Sequence, residues 1–115
     1  MEPATGTQEM PDPSDDPVLQ RFKAALREIY GSRIEGVVLF GSRARGAARD
    51  NSDYDVAVFF RDLPDVWKER FRLADLRVDL FDATGAFFDA KPYPTAGYRD
   101  HMPLMSEIRR NGVDV

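Results

Sequence analysis

The chain has 115 residues, of which 43% are hydrophobic and 31% are charged, as is usual for one compact globular domain. Its net charge of −4 provides no basic surplus to neutralise phosphates, so we expect no direct binding to DNA. The absence of cysteine excludes disulfides and thiolate metal sites and favours a cytoplasmic location, and no apolar run approaches the roughly 20 residues that a membrane span needs.

The N-terminal segment differs in composition from the rest of the chain. Residues 1–16 are rich in Pro, Asp, Thr and Ser and poor in apolar side chains. Such a segment cannot bury enough apolar surface to offset the entropy lost on ordering. We therefore expect a flexible tail over 1–16, followed by one folded domain over 17–115.

The first helix is predicted to begin at Pro17, because proline favours the first helical position. Asp15 or Asp16 is placed to cap this helix, and Gly31 is placed to end it. The apolar side chains in between recur at three- and four-residue spacing, which is typical of one buried helix face. They are Val18, Leu19, Phe22, Leu26 and Ile29.

Two strands are predicted next. Residues 34–40 are apolar on both faces of an extended backbone, which favours a central, covered strand. Gly41 marks the exit turn, and a short helix is expected to begin directly after it. Residues 46–52 are polar and form a loop by composition, and residues 54–60 are the second strand.

A second long helix is predicted to open at Pro64. Its candidate core contacts are Val66, Trp67, Phe71 and Leu73. The stretch from Arg77 to Asp82 then predicts a short third strand, which ends at the break Thr84–Gly85.

The last part of the chain contains several prolines. Residues 87–94 are predicted to be irregular, because Pro92 and Pro94 cannot donate a hydrogen bond inside a central strand. Pro103 is expected to start a final helix that ends near Gly112.

Two carboxylates stand directly before and within the second strand. Asp53 and Asp55 are two residues apart, so an extended backbone points both side chains to the same side. Carboxylates this close repel each other unless they share a cation or a proton. Mg²⁺ suits them, because it prefers oxygen ligands and leaves room for substrate phosphates.

The turn at Gly41 and Ser42 can supply the complementary phosphate-binding part. Glycine lets the backbone approach a phosphate closely, and the start of the next helix directs unpaired N–H groups at an anion. Ser42 can add a hydroxyl donor, and Arg43 or Arg45 can add charge-assisted contacts. Alternatively, both arginines are solvated helix residues.

A site that holds two metal ions usually requires a third carboxylate. Asp79 is the best candidate, because it lies between Val78 and Leu80 in the predicted third strand, where a lone acid needs an explanation. Asp82 is the reserve candidate, with a turn-capping role as its alternative.

Two motifs resemble those of the DNA polymerase β-type nucleotidyltransferase superfamily. They are LFGSRARG at 39–46 and SDYD at 52–55. The short length and the ending EIRRNGV at 107–113 resemble the minimal nucleotidyltransferase (MNT) branch of this superfamily. The resemblance covers the chain from about Pro17 to the C-terminus.

The resemblance implies an α+β nucleotidyltransferase fold with a small mixed β-sheet and helices packed on one face. It also implies the roles of five residues. Gly41 and Ser42 would bind the triphosphate, Asp53 and Asp55 would bind Mg²⁺, and Asp79 would be the third acid.

The resemblance further implies a reaction and a partner. In this superfamily a hydroxyl attacks the α-phosphate of ATP or another nucleoside triphosphate, and pyrophosphate leaves. Members of the minimal branch are often antitoxins of HEPN-domain ribonuclease toxins, and some AMPylate a tyrosine of that partner. We therefore expect a Mg²⁺-dependent enzyme that moves AMP from ATP to a hydroxyl of a helical HEPN-type toxin.

Two alternatives remain open. The chain could be a catalytically silent antitoxin that acts only by binding its toxin, with the acids as remnants. It could also be a transferase subunit that acts on a small molecule or on RNA together with a partner chain. Release of pyrophosphate in the presence of a toxin partner separates the enzyme from the silent antitoxin.

Overall fold

A computed structural model describes residues 15–44, 53–99 and 101–115, apart from the side chain of Ser42. Most of the predicted tail, residues 1–14, therefore lies outside the described residues. The helices of the described part are α1 (Pro17–Tyr30), α2 (Gly41–Ala44), α3 (Val66–Thr84) and α4 (Pro103–Asn111). Its strands are β1 (Ile34–Phe40), β2 (Tyr54–Phe60), β3 (Phe88–Pro94) and β4 (Val113–Asp114).

The strands form one mixed sheet in the order β3-β2-β1-β4. β1 runs antiparallel to both β2 and β4, whereas β2 and β3 are parallel and are joined through α3. The long crossover through α3 is what a parallel pair requires, because a short turn cannot return the chain to the same end of the sheet. The expected α+β fold with a small mixed sheet is confirmed.

Helix α1 begins and ends as its sequence predicts. The side chain of Asp16 accepts a hydrogen bond of 2.8 Å from the backbone N–H of Val18, which makes Asp16 the cap residue. Gly31 follows the helix with φ of 57°, in the region that favours glycine. Its N–H donates to the carbonyl of Arg27 and closes the last turn.

The sheet is covered on both faces, whereas the sequence suggested helices on one face. Helices α1 and α3 pack on the first face, which we call the α1/α3 face. Its buried side chains include Phe22, Leu26, Val56, Leu73 and Leu80. Helix α4 packs on the opposite face, the α4 face, where Met105 and Ile108 meet Val38, Ala57 and Phe59.

The predicted strand at Arg77–Asp82 is wrong, because these residues form the last third of α3. The helix continues to Thr84 and ends at Gly85, whose φ is 76°. Leu73, Leu76 and Leu80 recur at three- and four-residue spacing and are buried, so the helical period extends through the supposed strand. A short alternating segment such as Val78-Asp79-Leu80 fits a strand and a helix equally well.

Two of the four core contacts predicted for α3 are also wrong. Trp67 is 64% exposed and Phe71 is 69% exposed, whereas Leu73 is 1% exposed. Their apolar character does not serve the core of this domain.

Residues 88–94 form a regular strand and not the irregular segment that their prolines predicted. β3 lies at the edge of the sheet and pairs only with β2 among the described strands. An edge strand tolerates proline, because the position of the missing N–H can face away from the neighbouring strand. Pro92 and Pro94 are two residues apart, so both can face away together.

Gly112 lies at a close contact between α4 and β1, which leads to a prediction about stability. A Cβ atom at Gly112 would collide with the carbonyl oxygen of Ile108 and with Cγ1 of Val38. We expect Gly112→Ala to lower the free energy of unfolding by about 1–3 kcal/mol, as measured by denaturant unfolding.

Gly36→Ala is the matched control, because a Cβ there would meet nothing within 4 Å. The free energy of unfolding of this variant should stay within about 1 kcal/mol of that of the parent protein. Equal unfolding midpoints for the two variants would contradict the close contact at Gly112.

Candidate functional site

The end of β1 and the start of β2 lie side by side, because Phe40 pairs with Asp55. Gly41, the next residue, has φ of 77°. A Cβ atom at Gly41 would collide with Oδ2 of Asp55 and would lie 3.2 Å from its Cγ. The exit turn of β1 and the Asp55 carboxylate are therefore in direct contact.

A second carboxylate reaches the same place from β3. Asp55 pairs with Asp89 in the parallel ladder between β2 and β3. Paired residues of neighbouring strands point to the same face, and such strands lie about 4.8 Å apart. The N–H of Tyr54 donates a 2.8 Å hydrogen bond to the carbonyl of Phe87, which anchors this register at the start of β3.

Asp53 is exposed and directly precedes β2, two residues before Asp55. Asp53, Asp55 and Asp89 are thus gathered at one end of the sheet, beside the turn at Gly41. Asp89 was missed at the level of the sequence. The sequence signal for Asp89 is an acid between two apolar residues, Phe88 and Ala90, which are both buried in the structure. The prolines at 92 and 94 argued against a strand here, so this signal was not used.

Asp79 and Asp82 occupy a different part of the molecule. Both lie on α3, which packs on the α1/α3 face, and Asp79 borders a surface pocket with Arg21 and Glu28 of α1. The side chain of Asp55 belongs to the α4 face, because Tyr54 and Val56 on either side of it enter the α1/α3 core. The sheet therefore separates Asp79 from Asp55. Asp79 was chosen as the third acid because residues 77–82 were predicted to form a strand, and they are helical instead.

The three acids beside Gly41 are suitable donors for a hard cation, because all of them offer carboxylate oxygens. Among the residues that the structure describes, however, no three His, Cys, Asp or Glu side chains converge closely enough to hold a metal ion. Oδ2 of Asp89 lies 3.9 Å from Nζ of Lys91, which is on the same face one pleat further along β3. A cation would therefore compete with Lys91 for the Asp89 carboxylate.

On the α1/α3 face, Tyr54 connects the site to the start of α1. Its hydroxyl donates a 2.7 Å hydrogen bond to Oδ2 of Asp16, the residue that caps α1. Its ring stacks on Phe88 with 4.7 Å between the ring centroids. Cζ of Arg43 lies 3.9 Å from the centre of the Tyr54 ring, close enough for a cation–π contact.

The cation–π contact directs Arg43 to the side of the sheet away from Asp55. Arg45 lies outside the described residues, as does the side chain of Ser42. Their predicted contacts with a nucleotide stay predictions.

Burial raises the pKa of Tyr54 from 10.0 to about 12, with the hydrogen bond to Asp16 and the negative charge of Asp16 adding to the rise. Arg43 acts in the opposite direction. Proton loss from Tyr54 would place a second negative charge beside Asp16. The neutral hydroxyl is thus part of what holds β2 to α1.

Comparison with known proteins identifies the family. The sequence matches the family described as Polymerase beta, Nucleotidyltransferase over residues 24–89. The chain belongs to this family. The match runs from within α1 to the start of β3 and so contains Gly41, Asp55 and Asp89. The nucleotidyltransferase class expected from the sequence is confirmed.

Among curated proteins, the chain is similar to the protein adenylyltransferase MntA of Thermococcus cleftensis. The two are 42% identical over an alignment of 69 positions, and the match covers 55% of this chain and 68% of the relative. This relative supports the resemblance to the minimal branch that the motifs indicated.

Solved structures show the same fold. One is a toxin–antitoxin crystal structure with AMP-PNP, with a TM-score of 0.60 and 21% identity over 86% of this chain and 72% of that chain. Another is a complex of an MNT antitoxin with the tri-AMPylated HEPN toxin of Shewanella oneidensis. It has a TM-score of 0.56 and 18% identity over 84% of this chain and 67% of that chain. In the part of the chain that is described, no helix is long and apolar enough to cross a membrane.

The contact between Gly41 and Asp55 leads to a prediction about the turn. We expect Gly41→Ala to destabilise the fold by about 2–4 kcal/mol, because it combines a positive φ with a collision against the carboxylate. Gly85 has a similar φ of 76°, but a Cβ atom there would meet nothing within 4 Å. Gly85→Ala should therefore lower the free energy of unfolding by only about 1–2 kcal/mol.

A third variant isolates the carboxylate. In a background of Asp55→Ala, the Cβ of Gly41→Ala no longer meets Oδ2 or Cγ and keeps only a 3.3 Å contact with the Cβ of residue 55, so its cost should fall towards that of Gly85→Ala. Chemical denaturation of the full double-mutant cycle measures this difference. Additive effects of the two changes would mean that Gly41 and Asp55 do not interact.

Tyr54 leads to a prediction about alkaline pH. Because folding raises its pKa from 10.0 to about 12, its contribution to stability is fully present below pH 10 and is lost as the pH rises towards 12. In an absorbance titration at alkaline pH, Tyr54→Phe should remove a phenol transition close to 12.

Asp16→Ala should shift that transition part of the way back towards 10.0, because burial still acts on the ring after the hydrogen bond is lost. It should also lower stability by about 1 kcal/mol through loss of the helix cap. A transition that does not move in Asp16→Ala would argue against the hydrogen bond.

Proposed function

We propose that this domain transfers AMP from ATP to a hydroxyl of a protein partner and that it requires Mg²⁺. The contact between Gly41 and the Asp55 carboxylate carries the proposal. An enzyme that acts on a metal-bound triphosphate needs a close backbone approach to the phosphates next to carboxylates that hold the metal. Those two requirements meet here because Gly41 directly follows Phe40, which pairs with Asp55.

Asp53, Asp55 and Asp89 would hold Mg²⁺ through their carboxylate oxygens. The bound ion would supply neutralisation of the triphosphate charge and polarisation of the reacting groups. The ion would compete with Lys91 for the Asp89 carboxylate, and the ammonium group of Lys91 could then contact a phosphate oxygen. Gly41 and Ser42 would orient the triphosphate, so that catalysis depends on positioning and on charge.

The two arginines of the turn have different proposed roles. Arg43 stacks on the ring of Tyr54, so we assign it the task of fixing α2 against the start of β2. Arg45 keeps its predicted contact with the nucleotide. We also propose that residues 17–115 make up one minimal nucleotidyltransferase domain, with Asp16 as the residue that connects it to the tail.

A protein acceptor is supported by the relatives. The similar protein of Thermococcus cleftensis is named a protein adenylyltransferase. A chain of the same fold is the MNT antitoxin of a complex whose HEPN toxin carries AMP groups. We therefore propose that the partner is a HEPN-type toxin and that this chain is its antitoxin.

One observation favours a second function, that of an antitoxin which acts by binding alone. The described acidic groups do not form a ready-made metal cluster, and Asp89 is close to Lys91 instead. This alternative predicts no release of pyrophosphate from ATP, even with Mg²⁺ and the toxin present.

The catalytic proposal is tested by replacing the paired acids. Asp53→Asn combined with Asp55→Asn should reduce the transfer of labelled AMP to the toxin by about 100-fold or more. The melting temperature should stay the same or rise slightly, because two repelling charges have been removed. A markedly lower melting temperature would mean that these acids have a structural role.

The identity of the third acid is tested with a matched pair of variants. Asp89→Asn should reduce transfer by about 10-fold or more, because it removes one of the proposed metal ligands. Asp79→Asn removes the same charge from α3, on the other face of the sheet, and should leave transfer unchanged. The reverse result would return the role to Asp79.

A further inference from the structure

Helix α3 has a second row of apolar side chains on its solvent side. The residues are spaced by four, three, four and three positions along the helix. They are Trp67, Phe71, Ala74, Val78 and Phe81, and we call this row the outer stripe. Trp67, Phe71 and Val78 are each at least 60% exposed, and Phe81 is 43% exposed.

The outer stripe points directly away from the core. The buried positions Leu73, Leu76 and Leu80 lie on the opposite side of the helix, against the sheet. Phe87 extends the stripe beyond the helix, because its ring centroid lies 4.6 Å from that of Phe81 and its side chain is 55% exposed. With aromatic side chains of about 150–250 Å² each, the patch exposes roughly 400 Å² of apolar surface, a size at which apolar patches often serve as interaction sites.

The spacing of the outer stripe is that of a coiled-coil seam. Its members would occupy the a and d positions of a heptad, and a helix that packs against them would lie along the seam. The positions that flank such a seam decide the orientation of the partner. On α3, one flank carries Arg70 and Arg77, and the other flank carries Lys68, Asp75 and Asp82. Lys68 has no counterpart on the first flank of a parallel partner, because residue 63 precedes α3.

These charges fit a second copy of α3 in parallel orientation. In a parallel pair, a residue of the first flank faces the residue five positions later on the second flank of the partner. Arg70 would then face Asp75 of the other copy, and Arg77 would face Asp82. In an antiparallel pair in which Phe71 packs against Ala74 of the other copy, Arg70 would instead face Arg77 of that copy, which is repulsive.

We propose that this protein forms a parallel, two-fold symmetric dimer in which the outer stripes of two α3 helices form the seam. Ala74 would allow close approach at the centre, with Trp67 and Phe71 towards one end and Phe81 towards the other. The seam lies on the far side of the sheet from Asp55, so both candidate sites would stay open in the dimer. The patch is smaller than a standard interface, so the dimer should depend on concentration.

The first test is sedimentation equilibrium of the full chain from micromolar to millimolar concentration. Phe71→Lys should raise the dimer dissociation constant by about 10-fold or more, because it places two charges in the seam. Ile29→Lys is the matched control. Ile29 is an exposed apolar residue of α1 outside the stripe, at 42% exposure, and its replacement should leave dissociation unchanged.

The second test concerns orientation. Arg77→Glu and Asp82→Arg should each raise the dimer dissociation constant by about 10-fold. The two changes in one chain should restore the dimer, because each pair again joins opposite charges, with the two signs exchanged. Since the chain has no cysteine, Val78→Cys should form a disulfide-linked dimer under mild oxidation. This residue meets its own copy in the parallel seam but meets Trp67 of the other copy in the antiparallel one.

Three results would overturn the proposal. One is a monomer at every concentration, and another is a dimer that Phe71→Lys does not weaken. The third is a chain that is monomeric alone but loses its toxin complex in Phe71→Lys, which would assign the outer stripe to the toxin. The melting temperature of each variant shows that its fold is retained.

Discussion

The contact between Gly41 and the Asp55 carboxylate is the constraint on which the candidate site depends. The antiparallel pairing of Phe40 with Asp55 delivers the exit turn of β1 to the first residues of β2. Only a residue without a Cβ and with positive φ can occupy that turn. Because the backbone ladder sets this geometry, the position of the turn beside Asp55 should be as rigid as the sheet itself.

Helix α3 links this site to the rest of the domain. It supplies the crossover that makes β3 parallel to β2, and the parallel register brings Asp89 to Asp55. Its inner side chains complete the core on the α1/α3 face. A helix with these tasks needs one apolar side only, so the outer stripe requires a separate explanation.

Strongly periodic segments could be predicted from the sequence. The predicted bounds are close to the observed ones for helix α1, strands β1 and β2, and helix α4. The sequence also predicted that a glycine turn lies beside a carboxylate. Helix α3 was divided wrongly, because it is apolar on two sides and the pattern does not say which side meets the sheet. Trp67 and Phe71 were assigned to the core for the same reason.

The proposed third acid, Asp89, could not be predicted, because its position depends on strand order. Asp89 becomes a neighbour of Asp55 only when β3 is known to be an edge strand that tolerates Pro92. Asp79 had the better local pattern, but a three-residue pattern cannot reveal that its backbone is helical. Long-range pairing, and not local composition, decided which carboxylate lies beside the turn.

The pairing of the last residues with β1 has a practical consequence for anyone who handles this protein. Val113 and Asp114 pair with Leu39 and Val38, and the N–H of Val115 donates a 3.0 Å hydrogen bond to the carbonyl of Val37. These three residues shield the backbone of β1 next to the glycine turn. Trimming them would leave an open sheet edge that invites strand-to-strand aggregation, so affinity tags and fusion partners are better joined ahead of Asp15.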